Sequence, residues 1–569
     1  MPTFYLRGQT SHFRLQLNRK TRNRRMEITM TDSRLWCSDL GNGTFQNPIL
    51  YADYSDPDVC RVGDTFYMTA SSFNYIPGLP ILVSKDLVNW ELKNYAIKEA
   101  IPYEQYNSPA HAKGIWAPSI RYHNGEFFIF VGMPDEGIFV LKTKDPLGEW
   151  SEPHLILSGK GYIDPCPIWN EDGTAYVVHG YAKSRIGFKS ILGAFQITAD
   201  GEHRISEDTF IYDGTKTNPT IEGPKVYKRN GYFYIFAPAG GVKTGWQTVL
   251  RSKNLYGPYE EKIVMHQGSS DINGPHQGGL VDTLSGEEWF IHFQDAGVYG
   301  RITHMQPVVW KNDWPVIGKD VEGIDCGEPQ HVYPKPAGVP TDVEPTYLAA
   351  SDDFNSTELG LQWQWLANSK KDFYSLTERP GALRLYSINP TICQDASQSF
   401  PVLWNCANVL TQKLVCPAFT ADFSLDISGL KENCQAGILM IGGEYSSLAF
   451  RKEADGMKLV YVESETKKLK AAIKDTNTND IKIENILFST TVDASVATAV
   501  LRIVFSADKV CQMYYKLEGE NEFTKIPFSS TPKDHTWVGA KVGMFSTAAE
   551  NQNKPGFADF TKVVLSTLL

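Results

Sequence analysis

The sequence contains no apolar run long enough to cross a membrane or to form the core of a signal peptide. Its one basic run, Arg14 to Arg25, precedes every patterned segment. We therefore expect residues 1–40 to form a disordered basic extension. Because no export signal or anchor is visible, a cytoplasmic location without membrane contact is expected.

Paired cysteine motifs are also missing. The nine cysteines are an odd number, and no two of them form a Cys-x-x-Cys pair, so neither a zinc site nor a dithiol redox site is predicted. Cys60 and Cys166 lie in strand-like apolar segments, where a free thiol behaves as a small buried apolar group. Free thiols fit a reducing compartment.

Positive charge is scarce, since 55 Lys and Arg stand against 65 Asp and Glu, giving a net charge of -10. Nucleic acids bind clustered basic side chains, so no nucleic-acid partner is expected and a neutral substrate fits better. The aromatic content of 12% is high and suits sugar-binding sheets. A chain of 569 residues is too long for one ordinary core, which favours two domains.

The first half contains an internal repeat of a strand, a glycine-containing turn and an aromatic strand. The turn glycines are Gly63, Gly125, Gly173, Gly231 and Gly286. Their spacing of roughly 50 to 60 residues is typical of propeller blades. Five repeats predict an all-β catalytic domain, a five-bladed β-propeller over residues 41–330. The first strand of each blade lines a central channel, so the residues just before these strands should converge at one mouth.

Three of these converging segments carry a carboxylate: Asp56 in SDPDV, Asp164 in IDPCPI and Glu222 in IEGPKV. Any one of them could simply cap a turn. Three like charges aimed into one channel raise at least one pKa, which is unfavourable for folding unless the charges are used. Glycosidic-bond cleavage needs two carboxyl groups, and a third can keep the proton donor protonated. The pattern therefore predicts a glycosidase site.

The same segments resemble glycoside hydrolase family 43. The similar motifs are NPILYADYSDPDV, SSFNYIPGLPILVSKDLVNW, GIWAPSI, GYIDPCPIW, IEGPKVYKRNGYFYIFAPAG, GPHQGG and GRITHMQPVVW, in this order. They cover about residues 46–318. The resemblance implies a five-bladed propeller and an inverting mechanism, in which Asp56 is the base, Asp164 tunes the pKa of the acid and Glu222 is the acid.

The resemblance also implies substrate and metal contacts. Phe73 and Trp116 would wall the sugar subsite and Arg301 would hydrogen-bond sugar hydroxyls; the alternatives are plain blade packing and a surface ion pair. His276 in GPHQGG resembles a family histidine near an axial ion, often calcium, reached through water. The alternative is an ordinary packed and hydrogen-bonded histidine. No cofactor is expected to be required for the chemistry.

The second half begins after a Pro-rich polar segment, which predicts a linker over residues 331–349. Residues 350–569 show short alternating strands and turn signals without a convincing long helix, which predicts a β-sandwich. The start and end of this region resemble the lectin-like, concanavalin-like sandwich attached to xylosidase-like members of the family. In such relatives the sandwich packs on the propeller, and a loop can close the pocket.

The predicted function is exo-acting release of terminal pentose, β-D-xylose or α-L-arabinofuranose or both, from hemicellulose oligosaccharides. The sequence does not separate the two sugars, and it leaves the oligomeric state open. One alternative is a non-catalytic glycan-binding propeller, against which the presence of all three acids argues. Another is the related fructan-active propellers, whose WMNDPNG-like opening is missing here.

Overall fold

The computed structural model describes residues 35–390, 399–468 and 480–568. Most of the predicted basic extension, residues 1–34, lies outside these ranges. The prediction of an all-β fold with a five-bladed propeller and a β-sandwich is confirmed. The helices in these ranges are single turns: α1 (Lys183–Ile186) and the 3-10 helices Tyr103–Tyr106, Gly297–Tyr299 and Leu403–Asn405. No helix among the described residues has the length and apolar character needed to span a bilayer.

Each propeller blade is built on four antiparallel strands that follow one another along the chain. A short strand, β1 (Thr44–Gln46), precedes the blades. Blade 1 contains β2 (Asp58–Val62), β3 (Thr65–Thr69), β4 (Gly78–Ser84) and β5 (Trp90–Ile97), and blade 2 contains β6 (Pro118–His123), β7 (Glu126–Met133), β8 (Gly137–Thr143) and β9 (His154–Ser158). Blade 3 contains β10 (Tyr162–Trp169), β11 (Ala175–Tyr181), β12 (Ile191–Ile197) and β13 (Thr209–Asp213), and blade 4 contains β14 (Lys225–Arg229), β15 (Tyr232–Ala239), β16 (Trp246–Ser252) and β17 (Glu260–His266). Blade 5 contains β18 (His276–Asp282), β19 (Glu288–Asp295), β20 (Arg301–Lys311) and β21 (Trp314–Ile317).

The repeat glycines explain why each blade begins with a tight hairpin. All five lie between the first and second strands of their blades, with φ between 60° and 86°. L-residues with side chains rarely adopt this left-handed conformation, whereas glycine adopts it without steric cost. The turn chemistry seen in the sequence therefore fixes where the innermost strand of every blade ends.

The ring is closed by contacts between its first and last elements. Strand β18 packs against β2. Three short strands follow blade 5: β22 (Lys319–Val321), β23 (Cys326–Glu328) and β24 (Val332–Pro334). The first two extend blade 4 to six strands, because β23 runs parallel to β17. Strand β24 lies within the segment predicted as linker and pairs with β1, where Tyr333 packs against Phe45 and Trp289.

The second domain consists of two seven-stranded antiparallel sheets. Its strands are β25 (Gln364–Trp365), β26 (Tyr374–Ser375), β27 (Leu383–Ser387), β28 (Val409–Lys413), β29 (Phe419–Asp426), β30 (Cys434–Ile441), β31 (Tyr445–Glu453), β32 (Gly456–Lys468), β33 (Asp480–Val492), β34 (Thr498–Phe505), β35 (Cys511–Leu517), β36 (Thr524–Ser530), β37 (Lys541–Ala548) and β38 (Gly556–Thr567). One sheet has the order β25-β28-β37-β30-β31-β32-β33, and the other β26-β27-β38-β29-β34-β35-β36.

Burial along the strands shows how the two domains are joined. Strand β29 alternates buried and half-buried residues, as expected for a sheet with one face toward a core. Strands β30 and β37 are buried at every residue, so both faces of their sheet are covered. The second cover is the propeller: Trp365 forms a β-bridge with Ile76, and one apolar cluster continues from Tyr299 in blade 5 to Phe505 in the sandwich.

We expect Phe505→Ala to lower the free energy of unfolding by about 3 to 5 kcal/mol, because it removes a fully buried ring that packs against both Phe419 and Tyr299. Phe528, whose ring is 39% exposed, is the matched control. Urea-induced unfolding followed by tryptophan fluorescence measures the difference. Equal midpoints for Phe505→Ala and Phe528→Ala would show that the shared core is assigned wrongly.

Candidate active site

The backbone at the entrance to three blades adopts the same unusual turn. Asp56, Asp164 and Gly223 each precede a proline and have φ of 55°, 57° and 57°. Aspartate tolerates the left-handed region better than most residues with a side chain. In blade 4 the equivalent residue is glycine, and the acid, Glu222, comes one residue earlier. The three carboxylates therefore do not occupy strictly equivalent backbone positions.

Asp56 is buried and surrounded by hydrogen-bond donors. Its Oδ2 accepts from Ser55 Oγ at 2.8 Å and from Ser71 Oγ at 2.6 Å. Its Oδ1 accepts from Arg301 Nη1 at 2.9 Å. An ionised carboxylate offers about four acceptor positions, so three donors leave room for about one more, such as a water molecule. The serine donors were not predicted from the sequence, although Ser55 is the direct neighbour of Asp56.

Asp164 is also buried and lies close enough to the other two acids for both of their charges to act on it. The pairing of β10 with β11 is interrupted between Ile163 and Cys166, so Asp164 leaves the ladder. Burial, followed by the negative charges of Glu222 and Asp56, raises the pKa of Asp164 to about 7. The Gly223 N–H, which donates to Asp164 Oδ2 at 2.8 Å, opposes this rise. The three carboxylates therefore interact with one another, as expected for groups at one mouth.

Glu222 is the most accessible of the three acids, with 29% of its side chain exposed. Its Oε1 lies 3.0 Å from Nε2 of His276. His276 is buried, and its Nδ1 has no partner among the described residues. The alternative interpretation of His276, a packed and hydrogen-bonded histidine, requires a hydrogen bond, and the contact with Glu222 supplies it.

The predicted axial ion has limited support from the residues present. Within the described ranges, no group of three or more His, Cys, Asp or Glu side chains could hold a metal ion. The unpartnered Nδ1 of His276 fits a water molecule that in turn contacts an ion. A metal at this position stays a prediction, and no step of the chemistry below depends on it.

Phe73 follows Ser71, a hydrogen-bond donor to Asp56, by two residues and lies beside Trp116. A β-bridge between Phe73 and Ile115 aligns the two loops, and the ring centroids of Phe73 and Trp116 are 6.4 Å apart. The guanidinium of Arg185, held by Asp135 at 3.1 Å, lies 5.0 Å from the Trp116 ring. The buried Nε1–H of Trp116 finds no acceptor among the described residues.

A third aromatic ring at this wall comes from the sandwich domain. Trp537 stacks on Phe73 with 6.3 Å between the centroids and meets Trp116 edge-on at 4.5 Å. It lies in the loop before β37 and has φ of 65°. No repeat or motif in the sequence marks Trp537, because its proximity to the acids depends entirely on how the second domain docks.

Arg301 is buried rather than on the surface, with 7% exposure. Besides Asp56, its Nη1 donates to Ser55 Oγ at 2.9 Å, and the guanidinium lies 4.6 Å from the Phe293 ring. Its Nε has no partner among the described residues. The contacts thus join Asp56 with Arg301, Glu222 with His276 and Phe73 with Trp116, while the Trp116 and Arg301 donors have no partner among the described residues.

The arrangement has the parts that glycosidic-bond cleavage requires. Asp56 is buried and holds an arginine, Asp164 has a pKa raised by burial and by the two neighbouring acids, and Glu222 remains accessible beside a histidine. The low-dielectric surroundings strengthen each of these interactions. The aromatic wall suits the apolar C–H faces of a sugar.

Comparison with protein families agrees with this chemistry. The model described as "Glycosyl hydrolases family 43" matches residues 45–315. The model described as "Beta xylosidase C-terminal Concanavalin A-like domain" matches residues 351–564. Together the two models cover the propeller and most of the sandwich.

Individual relatives are similar over much of the chain. A β-xylosidase of Formosa agariphila is 32% identical, over 91% of this chain and 90% of that protein. A non-reducing-end α-L-arabinofuranosidase of Bacteroides ovatus is 33% identical, over 64% of this chain and 70% of that protein. The crystal structure of a family 43 protein of Bacillus licheniformis is similar with a TM-score of 0.75 and 27% identity, covering 92% of this chain and 100% of that one.

We expect the raised pKa of Asp164 to make the protein less stable as the pH rises from about 4 to 7. The folded state keeps a proton on this carboxyl that the unfolded chain, with a pKa of about 3.9, releases. The loss is at most about 1.4 kcal/mol for each pH unit. Asp164→Asn carries no such proton and should lose less stability. The measurement is the free energy of unfolding in urea for both proteins across this pH range. If this free energy changed with pH by the same amount in both, the assignment would be contradicted.

Proposed function

The chain belongs to family 43 of the glycosyl hydrolases, and from this premise we propose that it releases terminal pentose residues from hemicellulose oligosaccharides with inversion at the anomeric carbon. It is a glycoside hydrolase. The observation that carries the proposal is the group of three carboxylates, in which burial, then the charge of Glu222 and then that of Asp56 raise the pKa of Asp164. Relatives named β-xylosidase and α-L-arabinofuranosidase support both pentoses as candidate substrates.

Asp56 is the proposed general base. Its hydrogen bonds from Ser55, Ser71 and Arg301 all suit an ionised carboxylate and fix its orientation. The remaining acceptor position can take a proton from water as that water attacks the anomeric carbon. We assign to Arg301 the contact with a sugar hydroxyl that the family resemblance implies, since its guanidinium lies against the proposed base.

Glu222 is the proposed general acid. It is the longer of the two acidic side chain types and the only one of the three acids with substantial exposure, so it can reach a leaving-group oxygen. The contact with His276 holds one of its oxygens in place. We assign to Asp164 the tuning role that the family resemblance implies, since its carboxyl interacts with that of Glu222.

The surroundings of the acids support exo action on a small sugar. Phe73, Trp116 and Trp537 form a continuous aromatic wall from both domains. A wall closed by a loop of the second domain suits the end of a chain better than its middle. The name of the Bacteroides ovatus relative, which specifies the non-reducing end, supports the same proposal.

We expect Glu222→Gln to affect substrates unequally, because glutamine keeps the size of the side chain but cannot protonate a leaving group. Hydrolysis of xylobiose or an alkyl arabinofuranoside should fall about 100- to 10,000-fold. Dinitrophenyl β-xyloside and the matching arabinofuranoside, whose leaving groups need no protonation, should lose far less. Initial rates on the four substrates measure the contrast and rank the two sugars.

Two variants control this experiment. Glu207→Gln changes a side chain that is 95% exposed and should leave all rates unchanged. Asp56→Asn should abolish hydrolysis of good and poor leaving groups alike, because no substrate supplies its own activated water. If a folded Glu222→Gln protein lost hydrolysis rate by the same factor on all four substrates, Glu222 would not be the general acid.

A further inference from the structure

Asp53 is a buried carboxylate that the chemistry above does not use, three residues before Asp56. Its Oδ1 accepts the backbone N–H of Arg301 at 3.0 Å. Its Oδ2 accepts the backbone N–H of Gly539 at 3.0 Å and lies 3.7 Å from Nζ of Lys541. The first of these partners belongs to the propeller, and the other two belong to the sandwich.

On the propeller side, Asp53 fixes the point from which the Arg301 side chain extends. The carbonyl of Arg301 accepts the N–H of Tyr54 at 3.2 Å, so hydrogen bonds hold both sides of this residue. Gly300 permits the close approach, since a Cβ there would lie 2.4 Å from the Asp53 carboxyl carbon. The guanidinium of Arg301 then reaches Asp56. Arg301 is thus the single residue that connects Asp53 with the proposed base, Asp56.

On the sandwich side, Asp53 holds the loop that carries Trp537. Gly539 lies directly on the propeller backbone, because a Cβ there would be 2.4 Å from the N atom of Gly300. The next residue, Ala540, donates its N–H to the carbonyl of Val298 at 2.7 Å. Trp537 is two residues before Gly539 and completes the aromatic wall.

The charges at this contact make Asp53 hard to replace. Lys541 is 1% exposed, and Asp53 is the one carboxylate within 4.0 Å of its ammonium in the described part of the chain. The Lys541 ammonium also lies 4.2 Å from the Tyr75 ring. A buried ammonium that loses its carboxylate is costly, so the pair fixes how the two domains dock.

We propose that Asp53 is a positioning residue of the active site, which sets the Trp537 loop of the sandwich and the Arg301 strand of the propeller relative to each other. The proposal rests on the proposed function and deepens it. One carboxylate controls both the partner of the base and the wall that encloses the sugar, so the complete site depends on the docking of the second domain.

Asp53→Asn tests the proposal, because an amide has one acceptor oxygen and cannot serve both backbone N–H groups. Loss of one charge-assisted hydrogen bond corresponds to about a 10- to 100-fold fall in kcat/KM on the preferred aryl pentoside. If Asp53 acts through Trp537, Asp53→Asn should lower kcat/KM less when Trp537→Ala is already present. If the two substitutions together lowered kcat/KM by the full product of their separate effects, the proposed coupling would be overturned.

Hydrogen exchange gives a readout that needs no turnover and so separates this proposal from the proposed function. Amides of residues 537–541 should exchange roughly tenfold faster in Asp53→Asn, while those of β34 stay unchanged. If Asp53→Asn does not fold, Asp53→Asn with Lys541→Met removes both buried charges and should show the same faster exchange. Unchanged exchange in this loop in either folded variant would contradict the proposal.

Asp559→Asn is the matched control for loss of a buried carboxylate. Asp559 is 2% exposed and accepts hydrogen bonds from Arg379 and Arg384 within the sandwich. This variant should be less stable but keep kcat, KM and the exchange of residues 537–541. If Asp53→Asn and Asp559→Asn changed every readout alike, Asp53 would have only a structural role.

Discussion

Three acidic side chains, two of them buried, lie close enough for their charges to interact, and much of the surrounding structure serves to accommodate them. Such a group is tolerated only where each acid has its own compensation. Asp56 has Arg301 and two serine hydroxyls, Glu222 has His276, and Asp164 has one backbone N–H and a pKa raised to about 7. The blades place these donors, and the strained turns before the prolines aim the acids at them.

The sandwich domain contributes to the chemistry as well as to stability. Its doubly covered sheet packs on the propeller, and the loop before β37 adds Trp537 to the wall beside Phe73 and Trp116. Exclusion of water from this wall strengthens the interactions among the acids. The second domain therefore forms part of the surroundings of the proposed site, although it supplies none of the three carboxylates.

The sequence predicts the blades well because they are encoded locally, and a similar local pattern singles out the three candidate acids. Positive-φ glycines mark the hairpins, and an acid followed by proline marks the channel mouth. The sequence already shows Glu222 separated from its proline by Gly223, and the structure adds that Gly223 has the same left-handed φ as the two aspartates. Strand β24, the wall residue Trp537 and the contacts of Asp53 depend on distant parts of the chain, as does the burial of Arg301. No local pattern could have placed them.

The stereochemistry of the reaction tests the central claim most directly, because a water-activating base and a carboxylate nucleophile give opposite first products. Proton NMR during rapid hydrolysis of an aryl β-xyloside, or of an α-L-arabinofuranoside if that sugar is preferred, identifies the anomer released before mutarotation. If Asp56 is the base and Glu222 the acid, the first product is the inverted anomer, α-xylose from the β-xyloside. Initial release of β-xylose would contradict it.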